Sequence, residues 1–199
     1  TYYQIGLQLA VSKNQDYLKS TILSNIGEIY RELNDYDSAI DLYQMSIAGL
    51  SEEKDLDRKI YPLSNIAAVY LAQKNYNKAE EYALLSLDLA RQCQDKIVES
   101  VSLKYLGIIA CEQHRYNQAI EFLNKSLSIY SETKEILLSM EVLFELHQVY
   151  RDQNDINHAL IYLNEIILNA EQINADHILA KAYKRLIKDH ECLGNIENA

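Results

Sequence analysis

The sequence contains little glycine, proline or cysteine, and no tryptophan. Five Gly and one Pro among 199 residues leave few places where a regular helix has to break. The three cysteines, Cys93, Cys111 and Cys192, are too few and too widely spaced for a disulfide framework, and they are typical of small buried side chains in a reducing compartment. These shortages argue against a disulfide-stapled secreted domain, and we expect a cytoplasmic protein.

Further absences argue against several classes of function. No segment of about 18 apolar residues predicts a membrane span, and no charged start with an apolar run predicts a secretory signal. The formal net charge of −10 opposes phosphate backbones, so direct nucleic-acid binding is not expected of this part of the protein. Gly-rich phosphate loops and G-x-S-x-G motifs are missing, and the C-x-x-H pair Cys111 and His114 offers only two ligands. We therefore expect neither an enzyme nor a cofactor or metal site.

What the sequence does contain is a repeat of 40 residues that stays in phase along the chain. One slot holds Ile26, Ile66, Leu106, Leu146 and Leu186, and a slot thirteen residues later holds Ala39, Ala79, Ala119, Ala159 and Ala199. A period of this size is typical of a solenoid, in which each repeat buries its apolar face only by stacking on its neighbours. Function is therefore expected on a surface.

Within one repeat the apolar residues have helical spacing. Leu23, Ile26 and Tyr30 follow one helix face, and Ala39 and Tyr43 follow another. The breaks between them consist of residues that end or begin helices, namely Asn34-Asp35, Lys74-Asn75, His114-Arg115, Asn154-Asp155 and Gly194-Asn195. Each repeat is thus predicted to be two antiparallel helices, A and then B.

This framework resembles the tetratricopeptide repeat (TPR), through Leu23, Ile26, Gly27, Tyr30, Ala39 and Tyr43. The resemblance implies an all-α, right-handed superhelical solenoid of antiparallel helix pairs, about ten helices in all. The predicted units of this single solenoid are 18–57, 58–97, 98–137 and 138–177, with partial units 1–17 and 178–199, and we expect an excerpt from a longer protein. Ordinary TPR units have about 34 residues, so the additional residues should lengthen the helices and the B-to-A connection. Long units resemble those of kinesin light chains, Pins/LGN-type scaffolds, bacterial Rap-type peptide receptors and regulator-fused TPR regions.

In the TPR family, helix A lines a concave surface that binds ligands. The resemblance therefore implies that candidate peptide- or partner-binding residues lie on helix A, one or two positions before and two positions after the framework Ile or Leu. They are Asn25, Glu28, Ser64, Asn65, Lys104, Tyr105, Ile108, Phe144, Glu145, Gln148, Lys184, Arg185 and Lys188. Asn25 and Asn65 lie in a Leu-Ser-Asn-Ile context that resembles the asparagine-containing grooves of light-chain and Pins-type proteins. An amide both donates and accepts hydrogen bonds, so it can pair with an extended peptide backbone. The alternative is that these amides only hydrate the inner face.

Farther along the chain the same slots become apolar and then basic. Tyr105, Ile108 and Phe144 predict an apolar floor. A basic end follows, made of Lys181, Lys184, Arg185 and Lys188. Together they predict a ligand with an apolar anchor and acidic groups. The alternative is that the apolar residues touch the next helix A and the lysines form a solvated face.

Two other features have competing interpretations. His147 replaces the small helix A residue seen as Gly27, Ala67 and Gly107, and it is either a pH switch or, as we favour, a hydrogen-bonded side chain. The 16 tyrosines are expected to be mostly core packing rather than a stacking platform.

The sequence as a whole predicts a noncatalytic module that binds a peptide or partner protein. One alternative is a sensory or regulatory arm of a larger signalling protein with a flanking output domain. Another is a spacer or self-association module. A TPR framework is specific for the fold and leaves these functions open.

Overall fold

A computed structural model of the chain describes residues 16–51 and 54–194. The described residues form nine α-helices and no β-strand. The helices are α1 (Asp16–Glu32), α2 (Tyr36–Ala48), α3 (Leu56–Ala72), α4 (Tyr76–Gln92), α5 (Lys96–Glu112), α6 (Tyr116–Thr133), α7 (Ile136–Asp152), α8 (Ile156–Gln172) and α9 (Asp176–Cys192). Odd-numbered helices correspond to A and even-numbered helices to B. Most of the predicted partial unit 1–17, together with Asn195 and Ala199, lies outside the described residues. None of these nine helices is both long and apolar enough to cross a bilayer.

Short turns with a left-handed residue connect the helices. The turns place Asn34, Lys74, Gln94, His114, Lys134, Asn154, Asn174 and Gly194 at φ between 54° and 72°. Most helices have 17 residues and most turns have three, so a helix and a turn make half of the 40-residue repeat. The additional residues therefore lengthen the helices. The expectation of longer B-to-A connections is wrong except after α2, which ends at Ala48 while α3 begins at Leu56.

The residue after the left-handed position often caps the next helix. Its side-chain oxygen accepts a hydrogen bond from the backbone N–H three residues later, over 3.0 to 3.4 Å, at Asp35, Asn75, Asp95 and Asp155. Such caps satisfy backbone donors that have no partner within the helix. At these four turns a polar side chain thus helps to determine where the next helix starts.

Small residues mark the crossings of helices A and B. The four alanines of the second framework slot that the structure describes have no exposed surface; they are Ala39, Ala79, Ala119 and Ala159. In the first of these pairs, a Cβ atom on Gly27 would lie 2.9 Å from Cε1 of Tyr43. The missing side chain at Gly27 therefore makes room for the Tyr43 ring, which is fully buried.

The tyrosines divide between core and surface. Tyr43 and Tyr130 are fully buried, and the ring of Tyr70 stacks on Tyr82 with centroids 5.6 Å apart. Tyr61, by contrast, is 53% exposed. Tyr61 is therefore available to a surface site, whereas these other tyrosines pack within the fold.

The chain divides into two compact units, with the boundary after Ile109 inside α5. The N-terminal half contains α1 to α4 and most of α5. Its core includes Ile66, Val69 and Ile109, none of which is exposed. The C-terminal half contains α6 to α9, with Leu143 and Leu163 among its fully buried side chains. The single solenoid over 1–199 stays a prediction.

Candidate functional site

A groove of about 490 Å³ lies between helices α1 and α3 in the N-terminal half. We call it the amide groove, and its lining includes Ser20, Thr21, Ser24, Asn25, Glu28, Asp57, Arg58, Tyr61, Pro62 and Asn65. Asn25 is exposed and Asn65 is half-buried. The structure thus brings the two predicted amides to one concave surface, although they are forty positions apart in the sequence.

Helical periodicity aligns the walls of the amide groove. Thr21 and Asn25 lie four residues apart on α1, and Tyr61 and Asn65 lie four residues apart on α3, so each pair shares a helix face. Sequence reasoning missed Thr21 and Tyr61. The signal that could have found them is their position one turn before each predicted asparagine.

Glu28 lines the amide groove but is engaged within the protein. Its carboxylate forms an ion pair with Arg31 and accepts a hydrogen bond from the Tyr43 hydroxyl at 2.8 Å. The Arg31 hydrogen bond lowers the pKa of Glu28, although partial burial opposes the shift. Glu28 is therefore an ionised wall of the groove whose oxygens already have partners, and its role in ligand binding stays a prediction.

Ser64 is only 5% exposed, and its role as a ligand-binding residue stays a prediction. The equivalent residue of the previous repeat, Ser24, donates to Ser46 of helix α2 at 3.1 Å. In the first repeat this slot therefore lies beside helix B, where a short polar side chain contacts the partner helix.

The predicted apolar floor is divided between the halves of the chain. Tyr105 and Ile108 are half-buried on α5, with the ammonium of Lys104 5.8 Å from the Tyr105 ring centroid. Phe144 belongs to α7 in the C-terminal half and is only 4% exposed. Charged side chains of α9 cover its ring, and its part in a ligand-binding apolar floor stays a prediction.

Those side chains belong to a basic face on α9. Lys181, Lys184, Arg185 and Lys188 follow one another at intervals of three, one and three residues, which is one side of a helix. The three lysines are exposed and Arg185 is half-buried. The Lys181 ammonium lies 4.3 Å from the Phe144 ring centroid, and Cζ of Arg185 lies 4.8 Å from it. Both contacts are within cation–π range.

Two other candidate residues lie on α7. Glu145 and Gln148 are both half-buried, and Nε2 of Gln148 donates to Oδ1 of Asp152 at 2.7 Å. The amide of Gln148 is thus partly engaged within its own helix.

Beneath the basic face lies a network of polar side chains, centred on a buried pair. Nε2 of His147 donates to Oδ2 of Asp189 at 2.8 Å, and neither residue has exposed surface. Nη1 of Arg185 donates to Nδ1 of His147 at 3.2 Å. On the other side of the carboxylate, Nε of Arg151 lies 3.0 Å from Oδ1 of Asp189. We call these four residues the His147 network.

The partners of His147 determine its protonation. A guanidinium only donates hydrogen bonds, so Nδ1 must be the acceptor and the single ring proton must sit on Nε2. Burial lowers the pKa of His147, and the opposing attraction of Asp189 is smaller. The histidine is therefore neutral and hydrogen-bonded, in agreement with the interpretation favoured from the sequence. Asp189 was missed.

The C-x-x-H pair does not converge on one point. Sγ of Cys111 donates to Oδ2 of Asp152 at 3.4 Å, and burial raises the pKa of this thiol to about 12. Nδ1 of His114 lies 2.9 Å from the Tyr116 hydroxyl. Across residues 16–51 and 54–194, no group of three His, Cys, Asp or Glu side chains is arranged to hold a metal ion.

Comparison with known proteins agrees with this architecture. Sequence profiles described as tetratricopeptide repeat match residues 60–132 and 22–57. No curated protein matches the chain.

Several solved structures share the fold. BtubC (BKLC) from P. vanneervenii is 15% identical, with a TM-score of 0.82 over 98% of this chain and 81% of that one. The apo form of RapI is 16% identical, with a TM-score of 0.78 over 98% of this chain and 84% of its own. A Rap protein complexed with Competence and Sporulation Factor is 17% identical, with a TM-score of 0.68 over 88% and 54% of the two chains. At identities this low, the similarity indicates the fold alone. The structural match confirms the predicted all-α solenoid of helix pairs.

Proposed function

The chain belongs to the tetratricopeptide repeat family, and on that premise we propose that it is a noncatalytic module that binds a peptide or a partner protein along its A helices. The observation that carries the proposal is the amide groove, in which Asn25 and Asn65 line one concavity of about 490 Å³. Pockets that hold small ligands or peptide side chains have volumes of this order.

The lining of the groove suits an extended peptide. Each asparagine amide can donate to a peptide carbonyl and accept from a peptide N–H, at a net gain of about 0.5 to 1.5 kcal/mol per hydrogen bond. Such bonds hold a backbone without selecting its side chains. The exposed ring of Tyr61 at the edge of the groove adds an apolar surface for one ligand side chain.

Similar structures support the proposal at the level of the fold. A Rap protein is known in complex with Competence and Sporulation Factor, so a chain of this fold can hold a ligand. The free cysteines Cys93, Cys111 and Cys192 fit the cytoplasmic location that we propose.

Selection from a random peptide library on the immobilised 199-residue chain, followed by calorimetric titration of a selected peptide, tests the proposal. The double variant Asn25→Ala/Asn65→Ala should weaken the dissociation constant by about 5- to 100-fold, which corresponds to two lost amide contacts. The matched control is Asn124→Ala/Asn164→Ala, which removes two exposed asparagines from the B helices α6 and α8. It should change the affinity less than about twofold. Equal binding by wild type and groove variant, with both folded by circular dichroism, would reject the groove as the site.

A second candidate is a sensory arm within a larger signalling protein. The similar structures include a signal transduction ATPase with a tetratricopeptide repeat sensor, 18% identical, with a TM-score of 0.72 over 84% of this chain and 26% of that one. An output domain in the same gene, whose activity responds to a groove ligand, would favour this candidate. The spacer alternative instead predicts concentration-dependent oligomers that the groove variants leave intact.

A further inference from the structure

We propose that Arg185 is the specificity-determining residue for acidic side chains of a bound peptide at the basic face, and that His147 positions its guanidinium. The inference deepens the proposed function and rests on it, because the peptide has to lie along the A helices. It assigns the C-terminal half a ligand chemistry different from that of the amide groove.

Arg185 is held in place by hydrogen bonds as well as by a ring contact, whereas Lys181 contacts only the Phe144 ring in the part of the chain that the structure describes. Its guanidinium lies over the Phe144 ring, and Nη1 donates to the Phe144 carbonyl at 3.3 Å and to Nδ1 of His147 at 3.2 Å. Within the described residues, the hydrogen bonds of Arg185 all use Nη1, so Nε and Nη2 remain as a side-on pair of donors. That pair matches the two oxygens of a carboxylate, and a fixed arginine loses little rotamer freedom when it binds one.

Partial burial of Arg185 strengthens its attraction to a ligand carboxylate. Partial burial lowers the pKa of Arg185, as does the nearby charge of Arg151, whereas Glu145 and Asp189 oppose the shift. A guanidinium has too high a pKa to lose its proton, so the removal of water instead increases what Arg185 gains from a ligand carboxylate. The exposed lysines attract an acidic segment but, as point charges on flexible stems, do not orient it.

His147 controls whether Arg185 keeps this position. The charged groups that act on His147 are Asp189 and Arg185 of α9 and Arg151 of its own helix. In the neutral ring, Nδ1 accepts from Arg185. A second proton would place an N–H at Nδ1, which would face the Nη1 donor and carry a like charge. Acid should therefore release the guanidinium and weaken the binding of acidic peptides.

The probe for the experiment is a fluorescent hexa-aspartate peptide, with hexa-asparagine as its neutral counterpart, titrated against the full chain at low salt. Near pH 7.5, Arg185→Lys should weaken hexa-aspartate binding by about tenfold or more because it keeps the charge but loses the two-donor edge. Lys184→Ala, the control on the same face, should weaken binding only about two- to threefold. Hexa-asparagine should not bind measurably.

The pH dependence of hexa-aspartate binding distinguishes a positioning role of His147 from a purely structural one. As the pH falls from about 7.5 into the range where His147 takes up a second proton, the wild type should lose affinity several-fold, and the aspartates of the probe stay ionised down to about pH 5. His147→Gln should bind like the wild type at the higher pH and keep its affinity at the lower one. The reason is that Gln can accept from Arg185 through Oε1 and donate to Asp189 through Nε2, but it does not titrate.

Three comparisons of a variant with the wild type or with the control would overturn the inference. They are equal binding by Arg185→Lys and wild type, equal losses for Arg185→Lys and Lys184→Ala, and an unchanged pH profile in His147→Gln. If His147→Gln does not fold, nitrogen-15 NMR of the wild type decides, since the Arg185 Nε and His147 signals should shift with one common midpoint. Failure of hexa-aspartate to bind at all would also overturn it, and library peptides held by Asn25 and Asn65 would then leave the proposed function standing.

Discussion

The two halves of the chain place opposite chemistry at the same repeat positions of successive A helices. In the C-terminal half these positions hold His147 and Asp189, a buried polar pair. Two repeats earlier, in the N-terminal half, they hold Ala67 and Ile109, which are buried and apolar. The N-terminal half has an open groove lined by amides, whereas the C-terminal half presents cations above an internal hydrogen-bond network. The framework sets the spacing of the A helices, and the residues at a few slots decide whether their inner face is left open or filled by the protein's own side chains.

The largest expected effect comes from breaking the polar pair. Asp189→Ala leaves the buried His147 and the nearby Arg151 without their carboxylate, which should reduce the free energy of unfolding by about 3 to 5 kcal/mol. Urea titration followed by circular dichroism measures the loss. Asp41→Ala, at an exposed position of α2, is the control and should change stability by less than about 0.5 kcal/mol.

A double variant tests the comparison itself. His147→Ala/Asp189→Ile installs the apolar residues of Ala67 and Ile109 and should recover most of the stability lost in Asp189→Ala, since apolar replacements of buried polar pairs are often neutral. A double variant as unstable as the single one would mean that the two halves are not equivalent at these positions.

The next largest expected effect is a pH dependence of the free energy of unfolding. The folded pKa of His147 lies below its ordinary value of 6.5, so in mild acid the unfolded chain binds a proton that the folded chain does not. Stability should therefore be complete above about pH 6.5 and fall below it, by at most about 1.4 kcal/mol per pH unit, until the folded histidine also titrates. His147→Gln should remove this slope. His158→Gln, at an exposed histidine, should keep it, and its loss there would contradict the assignment.

The smallest effect concerns a feature that the halves share. Lys74 and Lys134 both adopt left-handed φ angles, of 58° and 61°. This conformation destabilises the folded state by about 1 to 2 kcal/mol for a residue with a Cβ atom, and glycine avoids that cost. Part of the gain, about 0.5 to 1 kcal/mol, is offset because glycine has more conformational freedom in the unfolded chain. Each Lys→Gly change should thus raise stability by about 0.5 kcal/mol in thermal unfolding. Lys125→Gly, inside α6, should instead lower it by about 1 kcal/mol, and a loss at Lys74 would refute the turn geometry.

Much of the helical architecture was predictable because local chemistry determines it. Residues such as Asn34 and Asp155 end and cap helices through their own backbone and side chain, without help from distant residues. The site was less predictable because exposure depends on neighbouring helices. Ser64 and Phe144 were expected on the ligand surface, but one is only 5% exposed and the other lies beneath cations of α9.

Asp189 shows where the sequence signal was present but incomplete. It is the single acid in a column that otherwise contains Ile29, Val69, Ile109 and Val149. A charge in an apolar column predicts a buried partner. The identity of that partner, 42 residues earlier, depends on how two A helices meet and does not follow from periodicity alone.

The uniform turns also have a consequence for how the chain acquires its structure. Because helices start about every twenty residues, each helix has a potential packing partner as soon as about twenty further residues have been synthesised. The side-chain hydrogen bonds of the His147 network join residues no more than 42 positions apart. Folding rates rise as contacts become more local in sequence, so each new helix can pack during translation against one that has just formed.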